Sequence, residues 1–401
     1  MSSNSSSQTH PRIAIIGGGP GGLTLLLTLS KRGIPATLYE READKDSRAF
    51  LGGILDLEWE TGQRALRENG MEDAFRKFAR REAEETKLCG KDGVPFFHEG
   101  GSEPADGDLK NARPEIDRRV LREILLDAVP PDAIKWGHAL TAIRPLEDGQ
   151  HELTFAHGLV TVVDVVVGAD GARSRIRPLL SAAVPLYHGV TGAEISFPPA
   201  VAALPENREI SERVGKGSCY LIEDAKVMGF QRNGDGRIRA YAWHREREDW
   251  ALPRDPRAAK TVLHGIYAGW APWVHDFIER SDERAIYLRP LYYLPVGHRW
   301  DHKSGVTLIG DAAHLMSPYA GAGANLAMRD GLDLGRVLAE AVSKGLGREE
   351  REAAVAAWEE KMFVTVEKFA AITLRNVEMT LGANSAQSMV QAFHDARAVE
   401  V

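Results

Sequence analysis

A short apolar run that ends in a cluster of glycines constrains this chain more than any other feature. Residues 12–16 (RIAII) predict a β-strand, and GGGPGG follows at residues 17–22. The next stretch, LTLLLTLSKRG, predicts a helix that ends at Gly33, where a C-terminal glycine is expected. Residues 35–39 predict a second strand that leads to Glu40. The order strand, helix, strand predicts a βαβ unit.

The glycines of this unit have the spacing GxGxxG, in which each glycine has a mechanical role. Gly17 allows the tight turn, Gly19 lets the backbone approach a pyrophosphate, and Gly22 lets the helix pack close to the strand. The helix N-terminus directs its N–H groups at the phosphates. Glu40, 18 residues after Gly22, can accept hydrogen bonds from an unphosphorylated ribose. The unit therefore predicts a bound dinucleotide, FAD or NAD rather than NADP.

Charge and cysteine content argue against several other classes of protein. The chain has 50 basic and 57 acidic residues, a formal net charge of −7, which argues against a nucleic acid partner. Cys89 and Cys219 lie far apart, so they predict neither a disulfide framework nor a thiolate metal site, and we expect no metal. Residues 1–10 are polar and predict a disordered tail rather than a signal peptide. No apolar run approaches the roughly 20 residues that span a bilayer, so we expect a cytoplasmic protein without membrane contact.

Several further segments have clear local patterns. The sequence predicts helices at 72–85, around 121–129 and at 349–381, and a buried strand at 160–167. Residues 226–231 and 237–244 predict a hairpin around the turn 233–236. In its second strand one face carries Arg237, Arg239, Tyr241 and Trp243, and the other carries Ile238, Ala240 and Ala242. The polar and aromatic face is either the floor of a substrate cavity or a solvent-facing surface.

Two more motifs follow predicted strands. Asp170-Gly171-Ala172-Arg173-Ser174 comes after the strand at 160–167, and Gly310-Asp311 leads to Pro318, Gly321, Gly323 and Asn325. A glycine-rich loop is costly to order, because glycine loses the most freedom on folding. We therefore expect a ligand against the backbone of this loop.

Together with the first motif, these segments resemble the three fingerprints of the class A flavoprotein monooxygenases, the family of para-hydroxybenzoate hydroxylase. The resemblance implies that Asp170 belongs to the cofactor site and that Asp311 accepts hydrogen bonds from cofactor hydroxyls. The backbone of residues 318–325 would lie under the flavin ring. The helix that starts near Gly323 would direct its positive end at the reduced flavin.

A narrower resemblance is to the tetracycline-inactivating monooxygenases of the TetX type. It rests on Glu40-Arg41, Arg48, residues 52–57 and 61–63, residues 114–118, residues 310–316 and residues 358–363. It implies that Glu40 and Arg41 hold the adenosine end of FAD. By the same resemblance Asp56 and Arg118 contact FAD, and Arg48 contacts NADPH transiently.

The resemblance implies an α/β architecture with a Rossmann-like FAD-binding domain of the GR2 type. A smaller, β-sheet-rich substrate domain and a long C-terminal bridging helix complete it. The expected boundaries are 11–180 and 285–345 for the FAD-binding domain, 181–284 for the substrate domain, and 346–401 for the bridging helix and tail. Residues 70–105 form an excursion from the FAD-binding domain, and the sequence leaves open whether they belong to the substrate domain.

The implied reaction consumes NADPH and O2 and hydroxylates a polycyclic or aromatic, oxygen-rich small molecule through a flavin C4a-hydroperoxide. Tetracycline inactivation, and with it antibiotic resistance, is one possible role. A non-oxygenating FAD-dependent reductase and a tailoring hydroxylase or epoxidase of polyketide biosynthesis are the alternatives. Because the cofactor carries the chemistry, no side chain is nominated as catalytic, and His314 is expected to be a packing or loop-bonding residue. We expect a monomer.

Substrate contacts are expected on the second domain and on the glycine-rich loop. Gly192, Ser218 and Arg239 stand at or near positions where the tetracycline-inactivating enzymes have glutamine, arginine and histidine. This departure argues against tetracycline itself. The candidate substrate residues are Gly192, Ser218, Arg239, Tyr241, Pro318, Tyr319 and Gly321.

Overall fold

The computed structural model describes residues 10–47, 52–100, 110, 112–382, 385 and 388. Its strands are β1 Ile13–Ile16, β2 Ala36–Tyr39, β3 Ile54–Asp56, β4 Thr86–Cys89, β5 Pro95–Glu99, β6 Glu115–Asp117, β7 Ile134–Lys135, β8 Leu140–Pro145, β9 His151–Phe155, β10 Val160–Val163, β11 Val165–Gly168, β12 Leu186–Tyr187, β13 Val190–Phe197, β14 Ser218–Glu223, β15 Lys226–Arg232, β16 Ile238–Arg245, β17 Tyr287–Leu288, β18 Tyr292–Tyr293 and β19 Val306–Leu308. Its helices are α1 Pro20–Lys31, α2 Gly62–Glu68, α3 Glu72–Arg76, α4 Arg118–Asp127, α5 Pro199–Ala202, α6 Arg208–Val214, α7 Pro256–Ile266, α8 Pro272–Arg280, α9 Asp311–His314, α10 Gly323–Ser343 and α11 Arg348–Thr380.

A parallel five-stranded sheet forms the centre of the first layer. Its strand order is β19-β11-β1-β2-β7, and all neighbouring strands are parallel. β1 is buried along its whole length, as expected of a parallel strand covered on both faces. The predicted βαβ unit is confirmed as β1-α1-β2. Helix α1 packs closely on α10, where a Cβ at Gly331 would lie 2.4 Å from the Gly21 carbonyl oxygen.

A seven-stranded sheet forms the second layer. Its order is β17-β13-β16-β15-β14-β4-β5, with β14 and β4 parallel and the other pairs antiparallel. The predicted hairpin is confirmed as β15 and β16. One face packs against α6, α7 and α8 around a buried core in which the rings of Phe197 and Phe277 stack at 4.1 Å. Strands β4 and β5 come from the excursion at residues 70–105.

Helix α11 joins the two layers. Trp358 and Phe363, in its first half, belong to the core of the parallel sheet. Val377 and the following Leu381 pack on the inner face of the seven-stranded sheet. The predicted architecture, an α/β cofactor domain with a second sheet and a long C-terminal helix, is confirmed.

The strand expected at residues 160–167 is in fact two strands. β10 pairs antiparallel with β9, and β11 pairs parallel with β1. Asp164 separates them, because its carboxylate accepts hydrogen bonds from the Arg12 backbone at 2.8 Å and the Arg12 side chain at 3.0 Å. These bonds hold the pKa of Asp164 down at about 2. A long-range ion pair therefore interrupts an apolar run that reads as continuous.

The helix expected at residues 72–85 is also wrong in length, since α3 ends at Arg76. A few residues later the Arg80 N–H donates to the Glu115 carbonyl at 2.8 Å, and the Glu115 N–H donates back at 3.2 Å. This bridge to β6 uses the backbone groups of Arg80 that a longer helix would need. Arg48 and the tail at residues 1–9 lie outside the described residues. No helix in the described ranges has the length and hydrophobicity to cross a membrane.

Candidate active site

The first glycine motif forms a tight turn at the carboxyl end of β1. Gly17 has φ +110°, and a Cβ there would lie 2.3 Å from the Ala169 carbonyl oxygen. A Cβ at Gly22 would lie 2.1 Å from the Gly17 carbonyl oxygen. A Cβ at Gly19 would have no described atom within 4 Å. Gly17 and Gly22 are therefore required by packing, whereas Gly19 faces open space in front of the helix N-terminus.

Glu40 lies beside this turn at the end of β2. Its side chain is 3% exposed, and its carboxylate accepts hydrogen bonds from the Gly18 N–H at 2.6 Å and the Glu42 N–H at 3.0 Å. A carboxylate accepts roughly four hydrogen bonds, so ribose hydroxyls can join these amides. Arg41 is exposed, with its Nε 3.5 Å from the Glu42 carboxylate.

The second motif places Asp170 just beyond the end of β11, next to the glycine turn. Its Oδ2 accepts the Arg175 N–H at 2.7 Å, whereas its buried Oδ1 has no partner among the described residues. Burial raises the pKa of this carboxyl. An acceptor that the chain itself leaves unsatisfied fits a ligand hydroxyl.

Arg177 fastens the second motif to the third. Its guanidinium is buried and donates to the Ala172 carbonyl at 2.7 Å and to the Ala312 carbonyl at 3.1 Å. Its role in joining two motifs depends on a contact 135 residues away, which no local pattern indicates.

Asp311 begins the third motif at the start of α9. Its side chain is exposed although the residues from Ala312 to Ser317 are all buried, so it lines a cleft inside the fold. Burial raises the pKa of its carboxyl, and the nearby His314, Arg118 and Arg177 oppose this shift. Asp311 is thus an accessible acceptor within a cationic environment.

His314 pairs with an acid on α10. Its Nε2 lies 2.6 Å from the Asp330 carboxylate, which also accepts the Gly310 N–H at 3.0 Å. Burial alone would lower the pKa of His314, but Asp330 raises it above its ordinary value. The histidine therefore holds the third motif against α10, as the packing interpretation expects.

The glycine-rich loop exposes its backbone where α10 begins. Pro318 and Gly321 are exposed, and Gly321 has φ +63°, a conformation that favours glycine. Asn325 is buried; its Oδ1 accepts the Glu58 N–H at 3.0 Å and its Nδ2 donates to the Asp56 carbonyl at 2.8 Å. In this structure Asn325 ties the start of α10, at Gly323, to the segment after β3.

Asp56 and Arg118 lie at opposite ends of the β3–β6 strand pair. The Asp56 carboxylate is hydrogen-bonded to Arg113 and lies 3.3 Å from the position of a Cβ on Gly321. Arg118 begins α4, is exposed, and has no carboxylate on its guanidinium within the part of the chain that the structure describes. Its positive charge opposes the upward shift in the pKa of Asp311.

The inner face of the seven-stranded sheet looks toward this loop. Tyr241 and Trp243 stack at 5.2 Å with 15° between their planes, and the Trp243 ring lies 5.6 Å from that of Tyr319. Arg239 is 4% exposed and Trp243 is 9% exposed. Of the two readings left open by the sequence, the solvent-facing surface is therefore wrong.

A buried ion triad lies on the same face. Glu194, 2% exposed, is hydrogen-bonded to Arg239 and accepts from Arg289 at 2.7 Å. Gly192 packs so closely that a Cβ would lie 1.8 Å from the Ala242 carbonyl oxygen, and Ser218 is 5% exposed. Their predicted contacts with substrate stay predictions.

The amino-acid sequence matches the FAD binding domain family over residues 11–358. The chain belongs to this family. The match includes all three motifs and both sheets. The expected place among class A FAD-dependent monooxygenases is confirmed at this level, whereas special closeness to the TetX type is not.

Two curated relatives of this family member are monooxygenases. Monooxygenase asqM of Emericella nidulans is 29% identical over 384 residues, which cover 82% of this chain and 84% of the relative. The 3-amino-4-hydroxybenzoate 2-monooxygenase PtmB3 of Streptomyces platensis is 31% identical over 345 residues, which cover 84% of this chain and 81% of the relative.

Two solved structures share the fold. Klebsiella pneumoniae HpxO complexed with FAD and uric acid has a TM-score of 0.77 and 21% identity, covering 98% of this chain and 95% of its own. The tetracycline destructase Tet(51) has a TM-score of 0.67 and 19% identity, covering 96% of this chain and 94% of its own. At these identities the likeness concerns the fold alone.

The residues of this family member fit FAD at each point where the fold brings the motifs together. Gly19 has open space for a phosphate, and Asp170 has an unsatisfied acceptor. Asp311 is accessible inside the fold, and the backbone at Gly321 is exposed. Sequence reasoning missed Glu194 and Arg289, because their contacts follow from strand register.

Proposed function

We propose that this protein is an FAD-dependent, NADPH-consuming monooxygenase that hydroxylates a polycyclic or aromatic, oxygen-rich small molecule. The observation that carries the proposal is the contact between Trp243 on the sheet and Tyr319 on the glycine-rich loop. It brings an aromatic sheet face against the loop where the flavin ring is expected. A planar substrate bound there would touch both.

In this proposal NADPH supplies the reducing equivalents, and bound FAD would supply the oxygen-transfer chemistry that the resemblance implies. The chain's own residues bind and orient. Gly19 and the start of α1 receive the pyrophosphate, Glu40 with Arg41 holds the adenosine ribose, and Asp311 accepts from the ribityl chain. The aromatic face excludes water from the reacting atoms.

Several finer points belong to the same proposal. NADPH would act transiently, with Arg48 as its contact. Tetracycline inactivation has support from the motif resemblance alone. The monooxygenase names of the two relatives support oxygen insertion and leave the substrate open. A cytoplasmic monomer is proposed.

The test is oxygen incorporation from 18O2. Purified holoenzyme is incubated with NADPH and a panel of tetracyclines, anthraquinones and phenols, and products are analysed by mass spectrometry. A substrate-dependent product heavier by one 18O atom supports the proposal. NADPH oxidation that yields no oxygenated product across the panel would favour a reductase instead. Parallel assays with NADH decide the coenzyme.

A further inference from the structure

One cross-strand row runs over the inner face of the seven-stranded sheet. The register pairs Glu194 with Tyr241, Tyr241 with Gly229, and Gly229 with Tyr220. Paired residues on neighbouring strands point to the same face. The row therefore carries an acid, a tyrosine, a gap and a second tyrosine across four strands.

The position at Gly229 is covered by the ring of Tyr220. A Cβ at Gly229 would lie 2.8 Å from Cδ1 and Cε1 of Tyr220, so that ring leans over the glycine. At the other tyrosine, a Cβ at Gly53, which directly precedes β3, would lie 2.8 Å from the Tyr241 hydroxyl. The segment that leads into β3 therefore lies against the Tyr241 hydroxyl.

The tyrosine rings line an internal space. Tyr220, Tyr241 and Tyr319 are each partly exposed. Burial nevertheless raises the pKa of all three, that of Tyr220 to about 12. Ring surface that stays accessible inside the fold must face a cleft. Together with Trp243 these rings offer stacking surface to a flat ligand.

One end of the row is cationic. Glu194 is shared between Arg239 and Arg289, so the triad carries one excess positive charge. Arg118 also acts on Tyr241 from the cofactor side. The charged groups around the Tyr241 hydroxyl are therefore Glu194, Arg239, Arg118 and Arg289, with arginine in excess. A ligand oxygen, neutral or anionic, is favoured here.

The opposite end is acidic. Asp56 and Glu115 face each other across the β3–β6 pair, and both act on Tyr220. The Glu115 Oε2 atom is buried and has no hydrogen-bond partner among the described residues. Arg113 is already bonded to Asp56 and lies 3.0 Å from Glu58. Arg80 also acts on Glu115 but lies 3.5 Å from Asp117, and Arg81 acts on the nearby Glu84. Because acids outnumber arginines among these described residues, a ligand carboxylate is disfavoured at this end and a hydrogen-bond donor is favoured.

We propose that the substrate cavity is polarised along this row and accepts a flat aromatic of two or three fused rings. The ligand would place an acceptor oxygen at the Tyr241 end and a hydrogen-bond donor, not a carboxylate, at the Tyr220 end. Strands lie about 4.8 Å apart, so the row from Glu194 to Tyr220 spans roughly 14 Å. The inference rests on the proposed function, because it assigns a substrate class to the same site.

Three naphthalene ligands test the polarity. They are 6-amino-2-naphthol, with an oxygen at one end and an amine donor at the other; 2-naphthol, without the amine; and naphthalene-2,6-dicarboxylate, which presents a carboxylate to the Tyr220 end in either orientation. Dissociation constants are measured on holoenzyme at pH 7.5 from the change in flavin absorbance. We expect the aminonaphthol to bind at least fivefold tighter than 2-naphthol, and the dicarboxylate to bind weakest. Equal affinities, or tightest binding of the dicarboxylate, would overturn the inference.

A variant tests the cationic end. Arg289→Gln removes one arginine and leaves the Glu194–Arg239 pair intact, and its side chain is 38% exposed, so folding should survive. We expect 2-naphthol to bind roughly fivefold more weakly, and naphthalene, which lacks the oxygen, to bind unchanged. Arg247→Gln is the matched control, because Arg247 pairs with Asp249 on the surface and is 82% exposed. An unchanged 2-naphthol affinity in Arg289→Gln would contradict the assignment.

The outcome separates this inference from the proposed function. Holoenzyme that retains FAD and incorporates 18O into some panel substrate, yet ranks the three ligands otherwise, refutes the polarity alone. A preparation that binds the ligands in the expected order but inserts no oxygen refutes the monooxygenase and keeps the cavity.

Discussion

The cofactor side and the inner face of the seven-stranded sheet are built from different parts of the chain. The cofactor side consists largely of backbone: the turn at Gly17–Gly22, the loop at Pro318–Gly321, and a few carboxylates at strand ends. The sheet face consists of side chains from neighbouring strands, held by register and by the ion triad of Glu194. Backbone sites tolerate little added volume, whereas side-chain sites tolerate little lost charge.

This contrast predicts different failures on the two sides. On the cofactor side, replacing a glycine by alanine should strongly destabilise the fold where the added Cβ meets the backbone, and should not affect folding where it meets open space. On the sheet face, removing a fully buried charge should destabilise the protein without changing FAD binding. Four experiments test this, from the largest expected effect to the smallest.

Gly22→Ala should lower the free energy of unfolding by about 4 kcal/mol or more, a size that marks a severe packing defect. The added Cβ would lie 2.1 Å from the backbone carbonyl oxygen of Gly17. Urea denaturation measures the change.

Gly19→Ala is the matched control: its Cβ meets no described atom, so stability should hold while FAD affinity falls roughly tenfold, about 1.4 kcal/mol. Equal stability of the two variants would contradict the packing role of Gly22.

Glu194→Gln should cost about 3–5 kcal/mol of stability, because it leaves Arg239 buried without a counter-charge. The amount of FAD per folded molecule should not change, since the triad lies on the sheet. Chemical denaturation and flavin absorbance measure the two quantities. Asp249→Asn is the control on an exposed pair and should change stability by less than about 1 kcal/mol. Loss of FAD from the folded Glu194→Gln variant would show that the sheet face also contributes to FAD binding.

Stability should fall at alkaline pH because of His302, which lies between the cofactor domain and α11. Glu352 and Glu359 raise the pKa of His302 to about 9. Because the folded-state pKa lies above the ordinary value, protonated His302 stabilises the fold fully below pH 6.5. This stabilisation is lost as the pH rises through 9. The expected loss is about 3 kcal/mol at most. Unfolding is measured between pH 6 and pH 9.5, and His302→Gln should flatten the slope. An equally steep fall of the unfolding free energy with pH in His302→Gln would show that another group causes it.

Asp311→Asn should weaken FAD binding by ~1.5–3 kcal/mol, the value of a hydrogen bond to a charged group. The apo-protein should be as stable as wild type or more stable, because burial disfavours the charged carboxyl. Equilibrium dialysis gives the affinity and denaturation of the apo-protein gives the stability. Unchanged FAD retention would remove Asp311 from the site.

Much of the cofactor side was predictable from local sequence. The β1-α1-β2 unit, the glycine spacing and the start of α10 at Gly323 all depend on residues close together in the chain. The hairpin of β15 and β16 was predictable for the same reason, and so was the alternation of its faces. Patterns of this kind need only the periods of helix and strand.

Other features were not predictable, because a distant partner decides them. The run at residues 160–167 reads as one strand until Arg12 binds Asp164. The helix after Glu72 stops early, and Arg80 then pairs with Glu115. Arg177 matters because Ala312, from another motif, lies beside its guanidinium. No window of local sequence contains both members of these pairs.

By itself the amino-acid sequence determined that this protein builds a dinucleotide site, because a tight turn admits only glycine where the backbone crowds or must approach a ligand. Only the tertiary structure decided what faces that site. Strand register set Glu194 beside Tyr241 and Gly229 beside Tyr220, and the packing of the two layers turned this row inward. Register depends on hydrogen bonds between distant segments, so the polarity of the cavity is a property of the fold rather than of any one stretch of sequence.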